Sequence, residues 1–72
     1  MDEQDSIDLI CEQIEKVVRN ESEGGDCYFA RLRDGRWVHF GGMNDILRRF
    51  IFDNRHCKRT AVTITGQTEY YR

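Results

Sequence analysis

Cys27, His39, His56 and Cys57 are the residues of this chain that could ligate zinc. Their spacing argues against it. No Cys-x-x-Cys or His-x-x-x-His pair occurs, and adjacent ligands at His56-Cys57 fit one tetrahedral site poorly. The same pair does not make a nucleophile–base dyad, because neighbours on a helix point away from each other. No Walker loop, HExxH, GxSxG or dinucleotide fingerprint is present. A chain of 72 residues is also short for enclosing a ligand pocket. The expectation is a protein with no catalytic residue, no metal and no cofactor, which binds rather than catalyses.

The chemistry that remains is recognition by arginine. In the stretch CYFARLRDGRWVHFGG, residues 27 to 42, Arg31, Arg33 and Arg36 sit among aromatic residues. A second group, Arg48, Arg49 and Arg55, surrounds Phe52. Guanidinium groups fork onto carboxylates and phosphates and stack on aromatic rings. An exposed aromatic residue inside an arginine ring has the composition of a binding hot spot. Arg48, Arg49, Phe52 and Arg55 are therefore the expected protein contact, extended by Arg31, Arg33 and Arg36. The alternative is a nucleic-acid module in which the hairpin 27–41 holds phosphates and stacks bases on Phe29 and Phe40. Burial of Phe29 and Phe40 in the core is the competing expectation, because a small protein needs its aromatics inside.

The elements that must carry these residues follow from periodicity. Ile7, Ile10, Cys11, Ile14, Val17 and Val18 recur at three- and four-residue spacing and predict a helix over 6–22, ended by Gly24-Gly25. Residues 27–33 and 36–41 predict a hairpin about Asp34-Gly35, which suits a two-residue type I′ turn. That turn puts Tyr28, Ala30, Leu32, Trp37 and His39 on one face. Cys27, Phe29, Arg31, Arg33, Arg36, Val38 and Phe40 then share the other. Residues 44–57 predict a second helix, with Met43, Ile46, Leu47, Phe50, Ile51 and Cys57 on one stripe and Phe52 opposite, among Arg48, Arg49, Arg55 and His56. Residues 60–65 predict a strand with Val62 and Ile64 inward. Gly66-Gln67 suits a type II′ turn into a short strand 68–71; the alternative is a bulge in one long strand. The fold class is α+β: a small antiparallel sheet with two helices on one face, in the order α-β-β-α-β with a fourth short strand. One compact domain over 1–72 is expected, with 1–5 and 70–72 frayed.

Charge divides the chain. Residues 1–26 hold nine acids and two bases, a net of −7; residues 27–72 hold nine bases and four acids, a net of +5, giving the overall −2. Eight of the later nine bases are arginine, which favours an interface over a merely solvated face. Asp8, Glu12, Glu15 and Glu21 are the expected acidic patch on the first helix. Net acidity counts against general phosphate binding. No apolar run reaches the ~20 residues of a membrane span, and the acidic start lacks the form of a signal peptide, so a cytoplasmic location and no membrane partner are expected. Three cysteines, an odd number, argue against a disulfide framework. A free edge on the last strand would allow a homodimer. In size, charge split and lack of catalytic motifs the chain is similar to the short accessory proteins of phages and mobile elements that inhibit a larger host machine. The likeness implies a regulatory or inhibitory protein, such as an anti-defence inhibitor, and carries no individual residue across.

Overall fold

The computed structural model describes residues 3–21, 23–53, 55–63 and 66–72. Elements follow in the order α1 (Glu3–Gln13), β1 (Ile14–Asn20), β2 (Cys27–Leu32), β3 (Trp37–Phe40), α2 (Asp45–Phe52), β4 (Arg59–Val62) and β5 (Thr68–Tyr71). The five strands form one antiparallel sheet in the order β3-β2-β1-β5-β4. Ile7 and Cys11 of α1 and Leu47 and Phe50 of α2 pack with Ile14, Val17, Tyr28 and Ala30 of the sheet in one core cluster. The fold class is α+β, as the periodicity predicts. The helices cover one face and leave the other open.

The helix expected over 6–22 stops at Gln13, and its second half is the central strand. Ile14, Val17 and Val18 are β-branched and fit a pleated sheet better than a helix. Ile14 and Val17 both point inward, at the three-residue spacing of a helix, because the register with β2 slips between Ile14 and Lys16. This bulge puts an extra residue between them, so residues of opposite parity share a face. Ile10, placed on the apolar stripe by its spacing, is instead exposed.

Arginines from elsewhere cap the end of α1. The last turn of α1 holds no basic residue. Arg33 donates from its backbone N–H to Gln13 O at 2.8 Å and from Nε to Glu12 O at 2.7 Å. Arg72 donates from Nε to Ile14 O at 3.0 Å and from Nη2 to Cys11 O. These cations meet carbonyls that have no partner within the helix, at the negative end of its dipole.

The first hairpin closes through three residues, not two. Gly35 N–H donates to Leu32 O at 2.9 Å, and Leu32 N–H to Arg36 O at 2.8 Å. Gly35 alone in the loop has positive φ, +93°, whereas a type I′ turn needs two such residues. The Asp34 carboxylate accepts from the Arg36 backbone N–H at 3.0 Å, an Asx contact, and Asp34 does not take positive φ. The pairs become Tyr28–Phe40, Phe29–His39, Ala30–Val38 and Arg31–Trp37. A slip of one residue turns β3 over. Phe40 and Val38 join Tyr28 and Ala30 on the helix side. Trp37 and His39 join Phe29 and Arg31 on the open side.

The second helix is shorter than its spacing suggests. Asn44 caps α2 by accepting from Leu47 N–H at 2.9 Å, and Asp53 ends it. His56 and Cys57 lie beyond the helix and are buried, so His56 does not stand on the outer surface beside Phe52. The second hairpin repeats the first: Gly66, φ +84°, donates to Thr63 O, and Thr63 N–H to Gln67 O. Gly66 closes this loop at its last position, not at the first of two as a II′ turn requires. Ile64 lies outside the described residues. Val62, expected inward, is 74 % exposed, on the edge strand of the sheet. The C-terminal residues are tied down where fraying is expected: Tyr70 and Tyr71 belong to β5, and Arg72 caps α1.

Candidate partner-binding surface

The open face is built in rows by cross-strand pairing. One row runs Trp37, Arg31, Lys16, Tyr71, Arg59; the next runs His39, Phe29, Val18, Glu69, Ala61. Trp37 is 51 % exposed, and the Lys16 ammonium lies 5.7 Å from its ring centre and 5.9 Å from that of Tyr71. Phe29 stacks on His39 with ring centres 4.8 Å apart. Phe29 is therefore an open-face residue, whereas Phe40 packs against the core. The two phenylalanines that the two-residue turn places together are separated by the sheet.

The two central cations of this face are compensated at home. Lys16 Nζ lies 3.4 Å from Glu69 Oε1, and Arg31 Nε lies 3.3 Å from Glu15 Oε2. The Tyr71 hydroxyl donates to Glu69 Oε2 at 2.8 Å. That bond, then Lys16, holds the Glu69 carboxyl below its ordinary range, and the same bond raises the Tyr71 phenol.

Arg48, Arg49, Phe52 and Arg55 belong to the helical layer, on the far side of the sheet from Arg31. Phe52 is 74 % exposed, as its position opposite the stripe predicts. Its arginine ring is engaged by acids. Arg49 reaches Asp8 at 3.4 Å and Asp53 at 3.8 Å; Arg55 reaches Asp53 at 2.8 Å and Asp8 at 4.0 Å; Arg48 reaches Asp45 at 3.7 Å. The side-chain and backbone bonds from Arg55 hold the Asp53 carboxyl well below the carboxylate range. His56 Nε2 lies 3.8 Å from Asp8. Asp8 is thus a junction between α1, α2 and the segment after α2.

The remaining residues fall elsewhere. Arg36 is bound to Asp34 at 2.7 Å in the turn, and Arg33 caps α1. The acidic patch does not lie on one helix: Asp8 and Glu12 are on α1, Glu15 is on β1, and Glu21 follows β1 and pairs with Arg19 at 2.8 Å. Lys16, Tyr71 and Arg59 belong to the open-face row that linear spacing did not single out, since only sheet order makes them neighbours of Trp37. Among the described residues no three His, Cys, Asp or Glu side chains stand close enough to share a metal ion. Cys11, Cys27 and Cys57 are free thiols. No described helix is long and apolar enough to cross a membrane.

The molecule thus defines a class by its form: a small α+β protein with two helices on one face of a five-stranded antiparallel sheet. The chain matches no protein-family model, no curated protein and no solved structure.

Proposed function

We propose that this is a non-catalytic regulatory or inhibitory protein that acts by docking on another protein, with Trp37, Phe29, His39 and Arg31 at the centre of the contact. The observation that carries this reading is the uncovered sheet face, on which Phe29 stacks on His39, Trp37 and Tyr71 flank Lys16, and each central cation already has an acid within 3.4 Å. Aromatic residues and arginine with locally balanced charge form the core of protein interfaces. Binding to a phosphate backbone instead draws on uncompensated cations, whose counterions are released. The exposed Phe52 and Arg48 on the helical layer offer a second, separate contact. The size of the chain and its segregated charge suit occupation of a larger machine's surface, the manner of phage and mobile-element anti-defence proteins. An intracellular site of action belongs to the same reading.

Single-stranded nucleic acid is the second reading, favoured by the Phe29–His39 stack on an open antiparallel sheet. One set of variants separates the two. Trp37→Ala with Phe29→Ala should abolish capture of a protein partner from host lysate, and Phe52→Ala should weaken it less. Labelled single-stranded DNA or RNA should show no anisotropy change even at low salt. Tight binding to nucleic acid that falls steeply with salt, and is lost in the Trp37→Ala Phe29→Ala protein, would replace the first reading with the second.

A further inference from the structure

The sheet ends on one side at β4, and every residue of that strand is exposed. β5, the last strand in sequence, is not an edge; it is paired on both sides, with β1 and β4. The Thr63 N–H to Gln67 O bond fixes which groups of β4 face β5. By antiparallel alternation Ala61 bonds inward as well, and Thr60 and Val62 turn their N–H and C=O groups to the free edge. Edge strands are ordinarily protected by short length, charged side chains, proline, bulges or inward-pointing charge. β4 is short and begins at Arg59, but no proline or charge stands at Thr60, Ala61 or Val62, and the Val62 side chain is 74 % exposed. A groove of about 590 Å³ runs beside the strand, lined by Lys58, Arg59, Thr60, Ala61, Tyr71 and Arg72.

We propose that β4 pairs with β4 of a second copy of this chain, about a two-fold axis through Ala61, to give a continuous ten-stranded sheet. The sequence of the edge is self-complementary in that register. Thr60 faces Val62 of the second copy and Val62 faces its Thr60, so both outward backbone pairs are satisfied and two β-branched side chains meet on the helix side. Ala61 faces Ala61 on the open side, where two small residues allow close approach. Arg59 faces Thr63 of the second copy, which keeps the two guanidinium groups at opposite ends of the pair and avoids like-charge opposition. The two-fold axis stands perpendicular to the sheet, so the open faces of both copies lie on one side and present their aromatic rows together. The interface does not depend on the partner-binding reading and uses none of its central residues.

Sedimentation equilibrium over roughly 1 µM to 1 mM tests this, since a short strand pair lies at the weak end of specific interfaces. The wild-type chain should pass from monomer to dimer across that range. Val62→Pro removes an outward N–H that β5 does not use, and proline is tolerated on an edge strand, so it should stay monomeric with unchanged circular dichroism. Ala61→Cys, with Cys27→Ser to remove the accessible thiol, should cross-link to a covalent dimer on mild oxidation. Residues facing across a non-hydrogen-bonded pair have the Cα separation a disulfide needs. A monomer at every concentration would overturn the proposal. So would a dimer that Val62→Pro leaves intact and Ala61→Cys does not cross-link, which would place self-association on another surface.

Discussion

Arginine side chains that look alike in sequence have different duties in this structure. Arg33 is exposed yet bonded to Glu12 O and Gln13 O, while Arg31 lies on the open face beside Trp37. Arg33→Ala should therefore lower the melting temperature with little effect on partner binding, and Arg31→Ala should do the reverse; thermal melts and a binding assay on both variants check this. Asp53 gives a pH signature. Its folded pKa lies below the unfolded carboxylate value of about 3.9. The stability it contributes is thus fully present above about pH 4 and is lost as pH falls towards the folded pKa. Asp53→Asn should melt below wild type at pH 7, and the gap should close in acid. The thiols differ as well. Burial, then the nearby Asp8 charge, pushes Cys11 up to about 11, and burial raises Cys57. Iodoacetamide at pH 8 should modify Cys27 first in the native protein and all three cysteines in denaturant, read by intact mass.

Two local devices set the elements, and each can be removed singly. Asn44→Ala deletes the side-chain acceptor for Leu47 N–H and should cost about 1 kcal/mol in urea unfolding. Gly35→Ala puts a Cβ at φ +93°, where nothing crowds it but the backbone conformation disfavours it; the cost should be roughly 1–2 kcal/mol. The length of the loop that this glycine closes decides which face Trp37 joins. Asp34-Gly35 announced a hairpin, and the hairpin is there. Loop length was not legible, because Asp34-Gly35 serves equally in a two-residue turn and in the three-residue turn that the Asp34–Arg36 bond selects. That one-residue difference moved Trp37 and His39 to the open face and carried Phe40 inward. The helix–strand change at Gln13–Ile14 was hidden for a related reason: the bulge in β1 reproduces helical spacing at Ile14 and Val17.

At the scale of the whole molecule, the charge split along the chain is closed in part within the fold. Asp8 of the acidic segment meets Arg49 and Arg55 of the basic one, and Glu15 meets Arg31. The dipole visible in sequence is therefore spent in part on joining α1 to α2 and β1 to β2. What remains for a partner is chiefly the open sheet face, with Phe52 exposed on the helical layer. Trp37, the chain's one tryptophan, reports on it. Its emission in the native protein should lie close to that of the unfolded chain and be readily quenched by acrylamide. Partner binding should shift it to the blue and protect it. Native emission already blue and protected would mean that the face is covered in the free protein.

Composition and periodicity by themselves determined the α+β class, the first hairpin, the second helix with its exposed Phe52, and Cys11, Ile14, Val17, Leu47, Phe50 and Cys57 as core residues. They could do so because burial of apolar side chains and glycine at positive φ are local or nearly local demands. Tertiary structure alone decided that residues 14–20 form the middle strand, that β4 and not β5 is the edge, and that Arg33 and Arg72 cap α1. It also placed Trp37, Arg31, Lys16, Tyr71 and Arg59 in one row across five strands. Those outcomes depend on register and strand order, in which a single inserted residue exchanges the faces of a strand, and no spacing within one segment records what its neighbour across the sheet will be.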